Sequence, residues 1–348
     1  MGNLADAANG AKKIPSSPVD RSAAGNAPKL RARRGPVSYL SRLGVPIFTL
    51  FLIALFSLWE PATFPTLPNA QVVAASNSLT LILALGALVP FIAGEFDLSI
   101  GFVLELTAVI SAVLMGQFGL SIPVVMLISV FTGMAIGLLN GLLITSVGIT
   151  SFIATLGVGS LAAAGSIYLT GGAILIEGIP RAFVSFGQGN SYGVPNMVMV
   201  GAIVLLIFWL LLEQTVFGRN LLAVGLSRRA SELVGIRTNL MVTLSFVICG
   251  TIAGLCGFLA LSRFGSASSG IGVSYLLPAI AACFLGATTV RVGRFNPLGT
   301  AFAVLLVAVG LNGLQLIGVP GWAEPAFNGA VLLIAVGTST LAGKRRQA

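Results

Sequence analysis

The sequence predicts an all-α, polytopic membrane protein, a single transmembrane bundle of about ten helices. Hydrophobic residues occupy 56% of the 348 positions and charged residues 8%, whereas soluble domains carry roughly 25% charged residues. Apolar stretches close to the roughly 20 residues that cross a bilayer recur from Val45 to the C-terminus. Only one charged loop of any size interrupts them, which favours one bundle over several domains.

Ten apolar stretches can be assigned as membrane segments. Several are short or crowded with glycine, so nine or eleven segments remain open alternatives. The ten segments lie at about 44–60, 71–93, 98–116, 121–141, 150–170, 194–213, 240–262, 274–289, 297–316 and 323–342.

The distribution of Lys and Arg predicts that both termini are cytoplasmic, because short cytoplasmic loops carry an excess of these residues. With the N-terminus inside, Arg181 and Arg263 are the two basic residues that fall outside. The others beyond residue 43 lie inside: Arg219, Arg228, Arg229, Arg237, Arg291, Arg294, Lys344, Arg345 and Arg346.

Residues 1–42 are polar and basic and contain no apolar core, so we expect a disordered cytoplasmic tail rather than a signal peptide. Its basic side chains either touch anionic lipid or remain solvated and only fix the orientation. The transmembrane domain is predicted at 43–343, with a cytoplasmic loop at 214–239. A basic cytoplasmic end follows at 344–348.

The cysteine and histidine content limits the chemistry. Cys249, Cys256 and Cys283 lie inside apolar segments, where cysteine behaves as a small hydrophobe, so we expect neither a disulfide nor a metal site. The chain contains no histidine. That excludes haem and quinone sites built on imidazole, zinc sites that need histidine, and hydrolases with a histidine base.

Acidic side chains between apolar segments are the first candidates for a functional role. Glu95 and Asp97 lie in "IAGEFDLSIG", at the break between segments two and three. Asp97, with Ser99 beside it, can cap the helix that follows, whereas Glu95 has no comparable local role. Glu105 lies two turns into segment three. It could face a pathway, pair with another helix, or lie shallow enough to stay hydrated.

The long cytoplasmic loop contains a short amphipathic helix. Leu226, Ala230, Leu233 and Val234 fall at helical spacing on one face. Ser227 can cap the start of this helix, and Gly235 can end it. From the pattern alone, the helix is either an interfacial helix on lipid or a docking element for a soluble partner.

Three motifs resemble those of the ribose-type permease subunits of bacterial ATP-binding cassette importers for sugars. "GEFDLSIG" at 94–101 is similar to that family's Gly-Gly-Ile-Asp-Leu-Ser-Val-Gly. "NGLLITSVGITSFIATLG", which begins at Asn140, contains its Asn-Gly-Leu-Leu and Phe-Ile-Ala-Thr-Leu-Gly. A Gly-Arg pair followed by Ala-x-Gly-x-Asn, Ala-Ala and Gly-Ile is matched within 218–236. The three occur in the family's order, and the resemblance runs from about Asn69 to the end.

The resemblance implies that the loop helix is the coupling helix, which seats in a groove of an ATP-binding subunit. Its apolar face would enter the groove, while Arg228, Arg229 and Glu232 would contact the rim. The coupling candidates are Gly218, Arg219, Gly225, Ser227, Arg228, Arg229, Ala230, Glu232, Leu233, Val234 and Gly235.

The resemblance also implies partners and a location. It implies an ATP-binding cassette subunit, an extracytoplasmic solute-binding protein, and a second permease chain, either a copy or a paralogue, in the bacterial inner membrane. We expect no cofactor in this chain, with ATP bound by the partner, since it has no G-x-x-x-x-G-K-[ST] loop. Membrane lipid is the remaining expected partner, and nucleic acid is not expected.

Departures from the family pattern leave the substrate open. Glu95 stands where the family commonly has glycine, and Ser227 and Ser231 replace the usual Asn and Ala. Glu105 occupies a place where small residues are common. These differences put a simple assignment to ribose in doubt, so pentoses, hexoses, polyols and other small polar solutes remain candidates.

Two other functions are alternatives to ATP-driven import. An ion-coupled secondary transporter would need intramembrane acids, and Glu105 is the one acid well inside a segment. A membrane-embedded hydrolase or transferase would need a nucleophile with a base or a metal-ligand cluster, and the sequence displays neither. Asn140, Asn312 and Gln315 complete the pathway candidates, although Asn312 and Gln315 could equally be hydrogen-bond partners between helices.

Overall fold

The computed structural model describes residues 36–331, 333 and 337, with side chains from residue 43 onward. It confirms the all-α prediction for this part of the chain. The helices are α1 (Pro36–Trp59), α2 (Leu67–Ile92), α3 (Ile100–Gly116), α4 (Ile122–Leu142), α5 (Ser151–Thr170), α6 (Arg181–Gln188), α7 (Asn196–Trp209), α8 (Val216–Leu226), α9 (Arg228–Leu233), α10 (Thr238–Phe264), α11 (Ile271–Gly286), α12 (Pro297–Leu316) and α13 (323–331). π-Helical turns at Leu143–Val147 and Leu210–Gln214 extend α4 and α7.

Six helices of the described chain are long and apolar enough to cross a membrane. They are α2, α5, α10 and α12, together with α4 and α7 including their π turns. Shorter apolar helices occupy the predicted segments at 44–60, 98–116 and 274–289, and α13 begins at the tenth. The polytopic helical fold is therefore confirmed, while the count of ten crossings and the orientation stay predictions.

The start of α1 differs from the predicted tail boundary. The helix begins at Pro36, inside the range 1–42 that the sequence assigned to the tail. Proline suits a first helical position because its backbone angle is preset and its missing N–H is not needed there. The rest of the predicted tail, residues 1–35, and the basic end at 344–348 lie outside the described residues.

Helix α10 lies at the centre of the bundle and packs most extensively against α4, α3 and α2. Along its seam with α4, Gly250 and Gly254 lie so close to Gly133 and Ser129 that an added Cβ atom would overlap backbone carbonyl oxygens. Small residues permit this approach where lipid supplies no hydrophobic drive between helices. The backbones of α4 and α10 therefore lie in direct contact along this seam.

Two irregular breaks interrupt the bundle, one at 93–99 between α2 and α3 and one at 287–296 between α11 and α12. Helices α3 and α11 contain 17 and 16 residues, or roughly 25 Å of helix, less than the ~30 Å hydrocarbon core. Irregular backbone can lie within the membrane where other parts of the protein supply its hydrogen bonds. In the first break, the Phe96 and Leu98 N–H groups donate to the hydroxyl oxygens of Ser151 and Thr155.

The breaks meet in a cluster of four phenylalanines. Phe91 precedes the first break and Phe96 lies within it, while Phe284 precedes the second break and Phe295 lies within it. Ring centroids lie 5.3 Å apart within the first pair and 5.4 Å within the second, and Phe91 lies 5.5 Å from Phe295. The rings therefore pack the two breaks against each other.

A small cap covers one end of α10. It begins in a loop between the fifth and sixth predicted membrane segments. It comprises α6 and a hairpin of β1 (Asn190–Ser191) and β2 (Val194–Pro195). Ser262 Oγ on α10 donates to the Phe183 carbonyl oxygen at 2.6 Å. On the predicted orientation, this cap lies on the extracytoplasmic side.

Candidate functional site

The predicted coupling segment, residues 214–239, forms two short helices joined at Ser227. Ser227 has an extended backbone, and its Oγ accepts the Ala230 N–H at 3.3 Å as the N-cap of α9. Gly235 follows α9 with a φ of +84°, a left-handed conformation that glycine adopts without strain. Leu226 belongs to α8 rather than to the capped helix, because the extended Ser227 separates the two helices.

Helix α8 is fixed to the membrane bundle through its buried face. Leu221 and Val224 are buried. A Cβ atom at Gly218 would overlap the Leu212 carbonyl oxygen, and one at Gly225 would overlap the Ile92 carbonyl oxygen at the end of α2. The glycines of this motif therefore permit direct backbone contact between the coupling segment and the bundle.

The opposite side of the coupling segment presents apolar side chains to the surroundings. Leu226, Leu233 and Val234 are 73%, 84% and 75% exposed, and Ala230 beside them is also exposed. Such a continuous apolar surface on a short helix pair is typical of a contact site for a partner or a lipid surface.

The charged residues of the segment divide into bound and free groups. Arg228 Nη2 donates to Glu95 Oε1 at 2.6 Å, which ties α9 to the first break. Glu232 Oε1 accepts the Thr238 hydroxyl at 2.7 Å, and Arg219 Nη1 donates to the Gln214 carbonyl oxygen at 3.3 Å. Arg229 has no hydrogen bond or ion pair with the described residues. Of the three predicted rim contacts, Arg229 is therefore the one that the chain leaves unengaged.

A second ion pair was not predicted. Arg291, in the second break, pairs with Glu213, which immediately precedes the coupling segment. The Glu213 side chain is only 8% exposed, and its Oε2 has no hydrogen-bond partner within the described chain, so Arg291 is what offsets its charge. No local pattern could have joined residues that lie 78 positions apart in the sequence.

Asp97 organises the first break from a buried position. Its Oδ1 accepts both the Ser99 N–H at 2.9 Å and the Ser99 hydroxyl at 2.6 Å. Asn140 Nδ2 donates in turn to Ser99 Oγ at 2.8 Å. The geometry is that of a polar network that holds the start of α3 against α4, away from the cavities described below.

Glu105 is buried and engaged with another helix. Its Oε2 accepts the Gly272 N–H at 2.9 Å, and Gly272 lies in the first turn of α11. A carboxylate at a helix N-terminus satisfies a free N–H and complements the helix dipole. Among the possibilities left open by the sequence, this geometry corresponds to pairing with another helix.

A polar cavity of about 270 Å³ lies among α2, α11, α12 and the start of α13. On the predicted orientation it occupies the extracytoplasmic half of the bundle, and we call it the outer cavity. Its polar lining consists of Ser76, Asn77, Thr80, Ser274, Tyr275, Asn312, Gln315 and Glu324. The candidates Asn312 and Gln315 lie here together, whereas Glu95, Asp97, Ser99, Glu105 and Asn140 do not line it.

Most polar groups of the outer cavity are unengaged within the described chain, and Ser76, Ser274, Gln315 and Glu324 are exposed. Elsewhere in the bundle, helical hydroxyls such as those of Thr107 and Ser129 donate to the carbonyl four residues earlier. Six cavity side chains have no hydrogen-bond partner within the described part of the chain: Ser76, Thr80, Ser274, Tyr275, Gln315 and Glu324. Local sequence patterns did not single out Tyr275 or Glu324, because their place in this cavity depends on which helices meet.

Asn312 differs from Gln315 in this respect. Its amide exchanges two hydrogen bonds with Asn69, at 2.9 and 3.1 Å, and so joins α12 to α2. The pair also borders a larger, mostly apolar cavity of about 540 Å³ between α1, α2 and α12. Asn312 thus contacts another helix as well as the outer cavity, while Gln315 faces the cavity unengaged.

Comparison with known proteins gives a consistent family. The family described as the permease component of branched-chain amino acid transport systems matches residues 69–336. The autoinducer 2 import system permease protein LsrD of Salmonella paratyphi B is 32% identical over 304 residues, 86% of this chain and 91% of that protein. LsrD of Escherichia coli strain SMS-3-5 is 35% identical over 271 residues, 76% of this chain and 82% of that protein. No solved structure matches.

The extent of these matches shows the family, and it agrees with the helical fold. The family match covers α2 to α13 and includes the coupling segment, both breaks and the outer cavity. The relatives are transport components rather than enzymes. The chain therefore belongs to the family of permease components of ATP-binding cassette importers, and it is a multi-pass inner-membrane transport subunit.

Proposed function

We propose that this permease moves a small, polar, sugar-like solute through the outer cavity into the cytoplasm, driven by an ATP-binding subunit that docks on α8 and α9. Family membership implies an ATP-binding subunit and a substrate-binding protein. The observation that carries the proposal is the pairing of a cavity lined by unengaged polar groups with an exposed apolar docking surface at the coupling segment.

The cavity supports a small, hydroxyl-rich solute. At about 270 Å³ it is slightly below the roughly 300 Å³ at which ligand pockets for drug-sized molecules begin. Hydroxyl, amide and phenol groups can each donate or accept a hydrogen bond, and such groups dominate the polar lining. The relatives named above import autoinducer 2, and a related small polar compound suits the same kind of cavity.

The coupling segment supports transmission of movement to the bundle. Gly225 contacts the last turn of α2, and Arg228 forms an ion pair with Glu95 in the first break. A partner that binds Leu226, Leu233 and Val234 and then moves would displace the first break directly. A second permease chain, either a copy of this chain or a paralogue, would complete the transporter, since a closed pair of like subunits is the commonest symmetric assembly.

The ion-coupled alternative has lost its main support. That alternative depended on Glu105 as an ion-binding acid, and the Glu105 carboxylate instead accepts a backbone N–H of α11.

The test of the docking role is Leu233→Asp. A carboxylate at this position cannot enter an apolar groove without an unfavourable loss of hydration, so we expect ATP-driven uptake to fall at least about tenfold. Insertion and thermal stability should be unchanged, because Leu233 is 84% exposed. Tyr192→Asp, in the fully exposed hairpin on the other side, is the matched control and should leave uptake unchanged. Normal uptake by Leu233→Asp would refute the docking role.

A further inference from the structure

The outer cavity contains one carboxylate and, among the described residues, no Lys or Arg in its lining. Glu324 supplies that carboxylate from the start of α13. The other lining groups are hydroxyls, two asparagines, one glutamine, a phenol and apolar side chains. Arg263, at the end of α10, interacts electrostatically with Tyr275, as Glu324 does, but it does not line the cavity.

Glu324 has no side-chain partner within the described chain, a property it shares with Glu60 and Glu177, neither of which lines the outer cavity. The carboxylates of Glu95 and Glu213 are paired with arginines, and those of Glu105 and Glu232 accept hydrogen bonds. Glu324 makes neither kind of contact within the described chain. Glu324 is an exposed residue at the border of the cavity, and within the described chain no Lys or Arg pairs with its carboxylate.

We infer that the outer cavity selects solutes by charge, binding uncharged polyhydroxylated solutes and repelling anions such as sugar acids and sugar phosphates through Glu324. This inference rests on the proposed function and deepens it. A fixed charge in a cleft with low-dielectric walls raises the local concentration of one sign of solute and lowers that of the other. The neutral side chains beside it, Gln315 and Tyr275 among them, can each donate a hydrogen bond to a hydroxyl group or accept one from it.

Charged thiol reagents measure this selection without knowledge of the solute. The test uses the full chain in lipid nanodiscs with Gln315→Cys, treated separately with a cationic and an anionic methanethiosulfonate of similar size. The native Cys249, Cys256 and Cys283 are fully buried, so the introduced thiol provides the signal. Tyr192→Cys, in the exposed hairpin, gives the intrinsic ratio of the two reagent rates.

We expect the cation-to-anion rate ratio at position 315 to exceed that at position 192 by about tenfold at low salt. Glu324→Gln in the Gln315→Cys chain should reduce the ratio to that of position 192, whereas Glu324→Asp should largely preserve it. Added salt should reduce the excess, since the effect is electrostatic.

A ratio equal to that of position 192, or one that Glu324→Gln leaves unchanged, would overturn the charge selection. Ser274→Cys provides a second position in the same cavity if Gln315→Cys does not fold. If neither reagent reacted with the thiol at position 315 or at position 274, the inference would also be overturned, because the cavity would then be closed to solutes. Loss of charge selection with intact ATP-driven uptake leaves the proposed function standing, while the Leu233→Asp test addresses that function separately.

Discussion

The two breaks in the bundle solve the same structural problem with different side chains. In the short break at 93–99, Asp97 faces an N–H and a hydroxyl of Ser99, both donors. In the longer break at 287–296, Asn296 Nδ2 faces the carbonyl oxygens of Gly286, Thr289 and Arg294, while its Oδ1 accepts the Gly299 N–H at 2.7 Å and caps α12. A carboxylate only accepts, whereas an amide both donates and accepts. The donors and acceptors that each break presents thus match the side chain that holds it.

The breaks also form ion pairs with opposite charges, one within the coupling segment and one immediately before it. The first break contributes the acid Glu95 to Arg228 of α9, and the second contributes the base Arg291 to Glu213 at the end of α7. Both breaks are therefore attached to the region where the ATP-binding subunit is proposed to dock. Movement of α9 would reach the first break through Arg228, whereas Arg291 connects the second break to the turn that precedes α8.

The largest expected effect comes from the backbone contact between α8 and the first break. Gly225→Ala would place a methyl group against the Ile92 carbonyl oxygen, and we expect a loss of about 3 kcal/mol in stability with loss of uptake. Gly157→Ala in α5 is the control, because no atom lies within 4 Å of its added Cβ. It should be neutral or stabilising by up to about 1 kcal/mol. Thermal unfolding in detergent measures both, and equal behaviour would contradict the contact.

Exchanging the side chains at the two breaks, Asp97→Asn and Asn296→Asp, tests why one break is held by a carboxylate and the other by an amide. Asn296→Asp removes both donors and places a carboxylate among three carbonyl oxygens, with an expected cost of about 3 kcal/mol. Asp97→Asn keeps an acceptor for the Ser99 N–H, and we expect about 1 kcal/mol. The midpoints of thermal unfolding should rank the two in this order. The reverse order would show that the donors and acceptors around each position do not set the choice of side chain.

The two ion pairs should differ because their carboxylates differ in burial. The Glu95 side chain is 16% exposed and that of Glu213 is 8% exposed, while their arginine partners are both well exposed. Arg228→Gln should cost about 0.5 kcal/mol. Arg291→Gln should cost about 1 to 2 kcal/mol, because it leaves a more buried acid without its partner.

The Arg291→Gln variant has an internal control in the double variant with Glu213→Gln. Glu213→Gln added to Arg291→Gln should recover part of the lost stability, since the unpaired charge is then removed. ATP hydrolysed per solute imported should rise in both arginine variants, because each connection to the bundle is weakened. Unchanged coupling in both would show that the ion pairs serve stability alone.

The sequence predicted the features that depend on local pattern. Apolar length located the membrane helices, and the Ser227 and Gly235 positions located the boundaries of α9. Local patterns carry no information about partners far apart in the chain, so the role of Glu95 was unassigned. Its partner Arg228 lies 133 residues away. The outer cavity was missed for the same reason, because four separate helices build it.

The central claim is that α8 and α9 dock an ATP-binding subunit. Its most direct test is a purification of the chain from its native membrane in mild detergent, with a photo-crosslinking residue at position 233 and, as control, at position 192. Mass spectrometry and an ATPase assay identify what is bound. We predict an active ATP-binding subunit crosslinked at position 233 and not at position 192. A preparation without ATPase, or a position 233 crosslinked only to lipid, would contradict the claim.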